Sequence, residues 1–354
     1  MPNPYARWIL AWERRLNRVD QDRRLTPFDW GTEWLRQTPM NGVAPAPPLA
    51  PAAAVLPGLR EWNERVLAAS EKFFSYPPVS GFDLHRGMLC FASPVASPYP
   101  ENQQVLARWF PAVASAPRRA VVVIAQWNAD ENSHIGLCRI FQRAGIAALR
   151  VSMPYHDGRM PRSLRRAEYA VDSNLGRTIH AARQAVCDIR ASLDWLQCQG
   201  YTRLGIVGTS LGSCYALLAS AHDARLRVNV FNHVSQYFGD VVWTGLATAH
   251  VRASLEPHIS QDQLREAWRT ISPASYLEQF ALTHALAPKR NLLLWARYDP
   301  CFLPEFSRQV LAEFARLHLP SQAHALPCGH YTIGRAPFKY ADAWLMTRFL
   351  RREL

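Results

Sequence analysis

A succession of short apolar runs, most of them followed by a helix-length stretch, constrains this chain more than any other feature. The runs are Ala120–Ala125 (AVVVIA), Ile146–Val151, Leu204–Gly208, Val228–Asn232, Asn291–Ala296 and Gln322–Leu326. A strand that is apolar at successive positions is covered on both faces, so the runs predict a mostly parallel sheet between two helical layers. Met88–Phe91 and Gln104–Phe110 are earlier strands separated only by turn residues. They predict an antiparallel start to the same sheet and eight strands in all. Helices are expected at Ile135–Ala144, Leu175–Cys198, Leu211–Ala221 and from about Phe338. In the longest of these, Ile179, Ala182, Val186, Ile189, Leu193 and Leu196 form one stripe, and Ser173 or Asn174 can cap its start.

Two stretches fall outside this alternation. In residues 1–85, Tyr5, Trp8, Ile9, Trp12, Leu16 and Val19 recur at helical spacing, with Arg7, Arg14, Arg15 and Arg18 mostly off that face. The stripe predicts packing against the main domain or a second subunit, which leaves a homo-oligomer open; a membrane-surface helix is the less favoured use. A Pro/Ala-rich connector from Pro39 to Pro57 and a second helix from about Leu59 to Phe74 complete this extension. Residues 86–354 read as the α/β domain. Within it, residues 235–288 contain Tyr237, Phe238, Trp243 and a helical stretch around Gln261–Arg269, but no evident strand. An insertion there leaves the sheet at its C-terminal edge, where α/β proteins bind ligands, and reads as a helical lid.

Composition excludes several classes. Hydrophobic residues are 49% of the 354, enough for a sizeable core, and no apolar run approaches a membrane span. The N-terminus lacks a secretory signal pattern, so a soluble, cytoplasmic protein is the expectation. The seven cysteines are scattered, without CxxC spacing, which argues against a disulfide framework or zinc cluster. No HExxH, GxGxxG or P-loop is present, so neither a metal nor a nucleotide cofactor is expected. The formal charge is +12, and only three of the 40 basic residues are lysines. They are spread along the chain with no nucleic-acid motif, and the arginine and alanine bias is that of a GC-rich coding sequence. The expected partner is a small-molecule substrate rather than a nucleic acid.

Gly208-Thr209-Ser210-Leu211-Gly212 fits G-x-S-x-G, after a strand and before a helix. That context lifts a serine hydroxyl above a sheet on a sharp turn, and the two glycines give the turn clearance. It also aims the N–H of Leu211 at a developing oxyanion. Asp299 follows the strand Asn291–Ala296, and Asp240 is the alternative acid. His330, in Cys328-Gly-His330-Tyr, lies just beyond the last strand. His134, His156, His222 and His233 are the other histidine candidates, of which His156 follows a strand and could border the pocket.

With these residues in the order Ser, Asp, His, each past a strand end, residues 87–354 resemble the α/β-hydrolase superfamily. The likeness is to its esterases, prolyl-oligopeptidase-like peptidases and dienelactone-hydrolase-like members. The resemblance implies Ser210 as nucleophile, His330 as base and Asp299 as the acid orienting it. It places the second oxyanion donor in the loop after Ala120–Ala125, at Trp127 or Asn128, although Gln126-Trp127 departs from the superfamily's common His-Gly pair. The implied activity is hydrolysis of an ester, thioester or amide of a small to medium acyl group, through an acyl-serine intermediate. A non-catalytic binding protein of this fold and an acyltransferase using the same triad are the alternatives. Tyr237, Phe238 and Trp243 are expected in the pocket wall, and Arg252 and Arg265 as its positive charge.

Overall fold

The computed structural model describes residues 3–19, 23–37, 54–113 and 118–354. Four helices come first: α1 (Pro4–Val19), α2 (Thr32–Gln37), α3 (Val55–Ala68) and α4 (Ser70–Phe73). Three strands follow, β1 (Asp83–His85), β2 (Met88–Ala92) and β3 (Gln104–Phe110). Next come β4 (Arg119–Ile124), α5 (Ile135–Arg143), β5 (Ala147–Val151), α6 (Leu175–Cys198), β6 (Arg203–Thr209), α7 (Leu211–Ala221) and β7 (Leu226–Asn232). The insertion supplies α8 (Phe238–Thr244), α9 (Ala249–Leu255), α10 (Gln261–Ala267) and α11 (Leu277–Leu286). The chain closes with β8 (Arg290–Ala296), α12 (Pro304–Arg316), β9 (Ser321–Leu326) and α13 (Phe338–Glu353).

The strands form one sheet in the order β1-β2-β3-β5-β4-β6-β7-β8-β9. β1, β2 and β3 pair antiparallel, β3 pairs antiparallel with β5, and every later pairing is parallel. The sheet has nine strands, not the expected eight. The extra one, β1, is three exposed residues at the edge (Asp-Leu-His), too short and polar to carry an apolar signal.

The apolar runs are buried from both sides, residue by residue. In β4, Ala120, Val122 and Ile124 enter one core, and Val121 and Val123 enter the other. α6 and α7 cover the first face; α5 and α13 cover the second, through Ile135, Cys138 and Phe141 and through Met346, Phe349 and Leu350. The period-two alternation of side chains across a strand requires a continuous apolar sequence wherever both faces are covered. Asn174, one of the two candidates, caps α6 by accepting from the Arg177 N–H at 2.9 Å.

The extension docks on the larger core. Leu59, Trp62 and Val66 of α3 and Phe73 and Phe74 beyond it are fully or almost fully buried there. α3 also grips the insertion: Asn63 donates to the Glu266 carbonyl at 2.8 Å, and Arg60 pairs with Glu266. The Pro39–Pro57 connector lies mostly outside the described residues.

α1 departs from its predicted face. Its buried residues are Ala6, Ile9, Glu13 and Asn17, whereas Tyr5, Trp8 and Val19 are exposed, Trp8 at 54%. The contact face has helical spacing, but half of it is polar, so hydrophobic periodicity selects a neighbouring face. No helix among the described residues is long and apolar enough to cross a membrane.

Candidate active site

Ser210 stands between β6 and α7 with φ 55° and ψ −119°. A non-glycine residue in that region costs about 1–3 kcal/mol, held in place by its surroundings. Here the surroundings are tight. A Cβ at position 208 would lie 2.4 Å from the Gly212 carbonyl oxygen, and one at position 212 would lie 2.4 Å from that of Ala125. The Ser210 N–H donates to the Asn232 carbonyl at 2.7 Å, tying the turn to the end of β7. The side chain opens into a cavity of about 740 Å³ that His330 also lines. Among the described residues no hydrogen bond joins Ser210 to His330; such a contact commonly forms only once substrate is bound.

His330 and Asp299 are already joined. The imidazole Nδ1 lies 2.8 Å from Asp299 Oδ2. Asp299 Oδ1 accepts from the N–H groups of Cys301 and Phe302, both at 2.7 Å, at the turn that follows β8. These bonds fix the direction of the carboxylate and leave Oδ2 facing His330. Burial disfavours the His330 imidazolium, but Asp299 by charge and hydrogen bond, and then Glu13 by charge, outweigh it and raise the pKa above 6.5. Asp240 is elsewhere: it lies on α8, pairs with Arg265 at 2.9 Å and accepts from Gln261.

The loop after β4 gives two different answers for the two oxyanion candidates. The Asn128 N–H donates to His156 Nε2 at 3.1 Å, so it is occupied. Among the described residues the backbone N–H groups of Trp127 and Leu211 have no partner. Trp127 is itself held by three contacts. Its Nε1 donates to the Ala167 carbonyl at 2.9 Å, His250 of α9 stacks on its ring, and Arg166 lies over the ring. His156 does not border the cavity. It is buried under this loop, with Nδ1 2.9 Å from the Pro154 carbonyl oxygen, and burial lowers its pKa to about 4. It is a neutral ring that shapes the Trp127–Asn128 turn.

The insertion borders the cavity, with one of its three expected side chains, Phe238. Phe238, Val241, Val242, Ala247 and Thr248 line it; Trp243 and Tyr237 do not. Trp243 packs on the core beside Arg252, and Arg265 lies over the Tyr237 ring. Arg252 is paired with Glu256 and Arg265 with Asp240, so both charges are matched within the insertion. The opposite wall comes from the loop before α5, from α5 and from α13, with His134, Leu137, Ile140, Tyr340 and Asp342. His134 Nε2 lies 2.9 Å from Thr209 Oγ1, and Asn232 donates to Asp342. Burial raises the Asp342 pKa to about 7, against the lowering effect of the Asn232 bond.

Two residues near Asp299 and His330 carry no motif in the sequence. His233, just past β7 and buried, has Nε2 3.3 Å from Asp299 Oδ2, and its ring centre lies 4.9 Å from that of His330. Burial lowers its pKa to about 4, so it stands beside Asp299 as a neutral ring. His222, by contrast, stands at the C-terminal end of α7 in a separate environment, hydrogen-bonded to Leu218 and packed on Phe74. The second unsignalled residue is Glu13 of α1, whose carboxylate accepts from the N–H groups of Tyr331 at 2.9 Å and Thr332 at 2.8 Å.

Among the described residues, His233, Asp299 and His330 are the group close enough to hold a metal ion, with ligand atoms within 4.8 Å of one another. Of the two His330 nitrogens a metal could take, Nδ1 is bonded to Asp299 and Nε2 is the one a relay to Ser210 would need. Metal binding there and a Ser210–His330–Asp299 relay therefore exclude each other.

No protein-family model and no curated protein sequence matches the chain. Solved structures do. An acylaminoacyl peptidase from Pyrococcus horikoshii is similar over 78% of this chain, with 12% identity and a TM-score of 0.54. A puromycin-hydrolyzing peptidase from Mycobacterium tuberculosis is similar over 72%, with 18% identity and a TM-score of 0.55. This chain spans only 49% of the first and 38% of the second. An acetyl xylan esterase from a Thermoanaerobacterium species is similar over 92% of this chain and 99% of its own, with 13% identity and a TM-score of 0.56.

Proposed function

We propose that this chain, which has the α/β-hydrolase fold, is a serine hydrolase that cleaves a carboxylic ester of a small to medium acyl group. One observation carries the reading: a serine held at positive φ opens into the same cavity as a histidine whose far nitrogen is bonded to a buried aspartate. A fold alone hosts many functions, so the weight rests on this group and not on the likeness.

In the proposed mechanism Ser210 Oγ attacks the acyl carbon while His330 Nε2 takes its proton. Asp299 keeps Nδ1 protonated and stabilises the imidazolium. The N–H groups of Leu211 and Trp127 receive the oxyanion, at the start of α7, where the helix contributes partial positive charge. His330 returns the proton to the leaving alcohol, and water then releases the acid by the same steps. An ester suits this site because apolar residues of the insertion, Phe238, Val241 and Val242, line the cavity that Ser210 enters. The esterase that is similar over its whole length has the same general form. Thioesters and amides are the neighbouring substrate classes.

The test is a panel of p-nitrophenyl esters from acetyl to dodecanoyl, with an aminoacyl anilide beside them. Turnover of the shorter esters is expected, reduced about a thousandfold or more in Ser210→Ala and comparably in His330→Ala, because triad members act as one unit. Undiminished turnover in either folded variant would refute the assignment.

A further inference from the structure

We infer that Glu13 is a positioning residue for the triad: from α1 it grips the two backbone amides that follow His330 and thereby sets where the imidazole stands. The inference rests on the reading of Ser210, His330 and Asp299 as a hydrolase triad, and it makes the N-terminal helix part of the active site.

The geometry is specific to that task. Glu13 is fully buried, some 317 positions earlier in the chain than His330. Its two oxygens divide between two donors, Oε2 to Tyr331 N–H and Oε1 to Thr332 N–H. A buried carboxylate with unmet lone pairs is costly, so the pair of amides is what keeps it there. The loop is shaped to receive it. A Cβ at Gly329 would lie 2.4 Å from the Glu13 carboxyl carbon, so only glycine leaves space for the acid. Two further bonds fasten the same helix to the same loop: Tyr5 Oη donates to the Pro327 carbonyl, and Tyr331 Oη donates to Asn17 Oδ1. Every one of these bonds lands within three residues of His330, and of the residues they hold Tyr331 also lines the cavity.

Charge adds a second consequence. His330 is faced by Asp299 from the β8–α12 turn, by neutral His233 from the end of β7, by Glu13 from α1 and by the Tyr331 ring beside it. Glu13 is thus the second anion near the imidazole, and it favours the protonated ring. Burial and the Asp299 charge raise the pKa of Glu13 itself, while the Tyr331 and Thr332 N–H groups hold it down.

The experiment compares full-length wild type with Glu13→Gln and Gly329→Ala, below the melting temperature of each. kcat and KM for p-nitrophenyl acetate are measured from pH 5 to 9, with the rate at which a fluorophosphonate labels Ser210. Glutamine keeps the shape, but its NH2 faces one of the two N–H donors; the alanine methyl evicts the carboxylate with its charge retained. Both variants should lose about tenfold or more in kcat and in labelling rate, with KM within about threefold, because small displacements of a catalytic group are costly. The acid limb should move to lower pH in Glu13→Gln and by less in Gly329→Ala. A fall in melting temperature with kcat, labelling and pH profile unchanged would make Glu13 merely structural and overturn the inference. Absence of labelling in wild type would instead remove the triad reading itself.

Discussion

In the proposed mechanism His330 must be neutral to take the Ser210 proton, and its surroundings hold the proton on. Asp299 and Glu13 raise its pKa above 6.5 despite burial. The active fraction of the enzyme therefore grows as pH rises through that raised value, and kcat/KM should show an acid limb centred above 6.5. Asp299→Asn removes the stronger of the two anions, so its residual activity should be low, with the limb displaced downward. A pH–rate profile of both proteins checks this; a wild-type limb below 6 would contradict the charge arrangement described. The three residues of the proposed triad could be singled out because each has a local signature: glycines bracketing a serine, an acid after an apolar strand, a Gly-His pair after the last strand. Glu13 and His233 have none. Glu13 sits on a helix whose apolar spacing points elsewhere, and what makes it matter, two amides at the far end of the chain, exists only after folding. His156 illustrates the reverse: a histidine after a strand carries the signature of a pocket residue, yet its Nε2 is spent on the Asn128 N–H.

Among the elements, strands buried on both faces were the easiest to locate, since two-sided burial leaves an uninterrupted apolar run. Gln104–Phe110, Leu175–Cys198 and Leu211–Ala221 have the limits read from sequence. β1 was not legible, because an exposed edge of three residues needs no apolar side chain. α12 was missed as well; its buried positions Phe306, Ser307, Val310 and Phe314 form only a thin stripe. The insertion borders the cavity, but amphipathic helices can rotate, and α8 turns Phe238, Val241 and Val242 inward in place of Trp243. The lid prediction follows those residues. Val242→Ala should enlarge the cavity and shift kcat/KM toward longer acyl chains, by up to about tenfold, since one or two methylene contacts discriminate by roughly 1–3 kcal/mol. Trp243→Ala should leave the ranking of chain lengths unchanged. The opposite pattern would show that the acyl group lies outside α8.

For the whole molecule, the extension, the insertion and the sheet are interlocked rather than strung in series. α3 pairs with α10 through Arg60 and Glu266 and with the turn after α10 through Glu64 and Arg269, while α1 holds the loop that follows β9. The two segments with the least strand–helix regularity thus both meet the candidate site, one lining its cavity and the other holding the loop of His330. All of this depends on Ser210 being a nucleophile. Intact-mass measurement after exposure to a fluorophosphonate tests that most directly. The account predicts one phosphonyl adduct per wild-type chain, mapped to the peptide containing Ser210, and none on Ser210→Ala. An unlabelled wild-type protein, or an adduct that persists in Ser210→Ala, would contradict it.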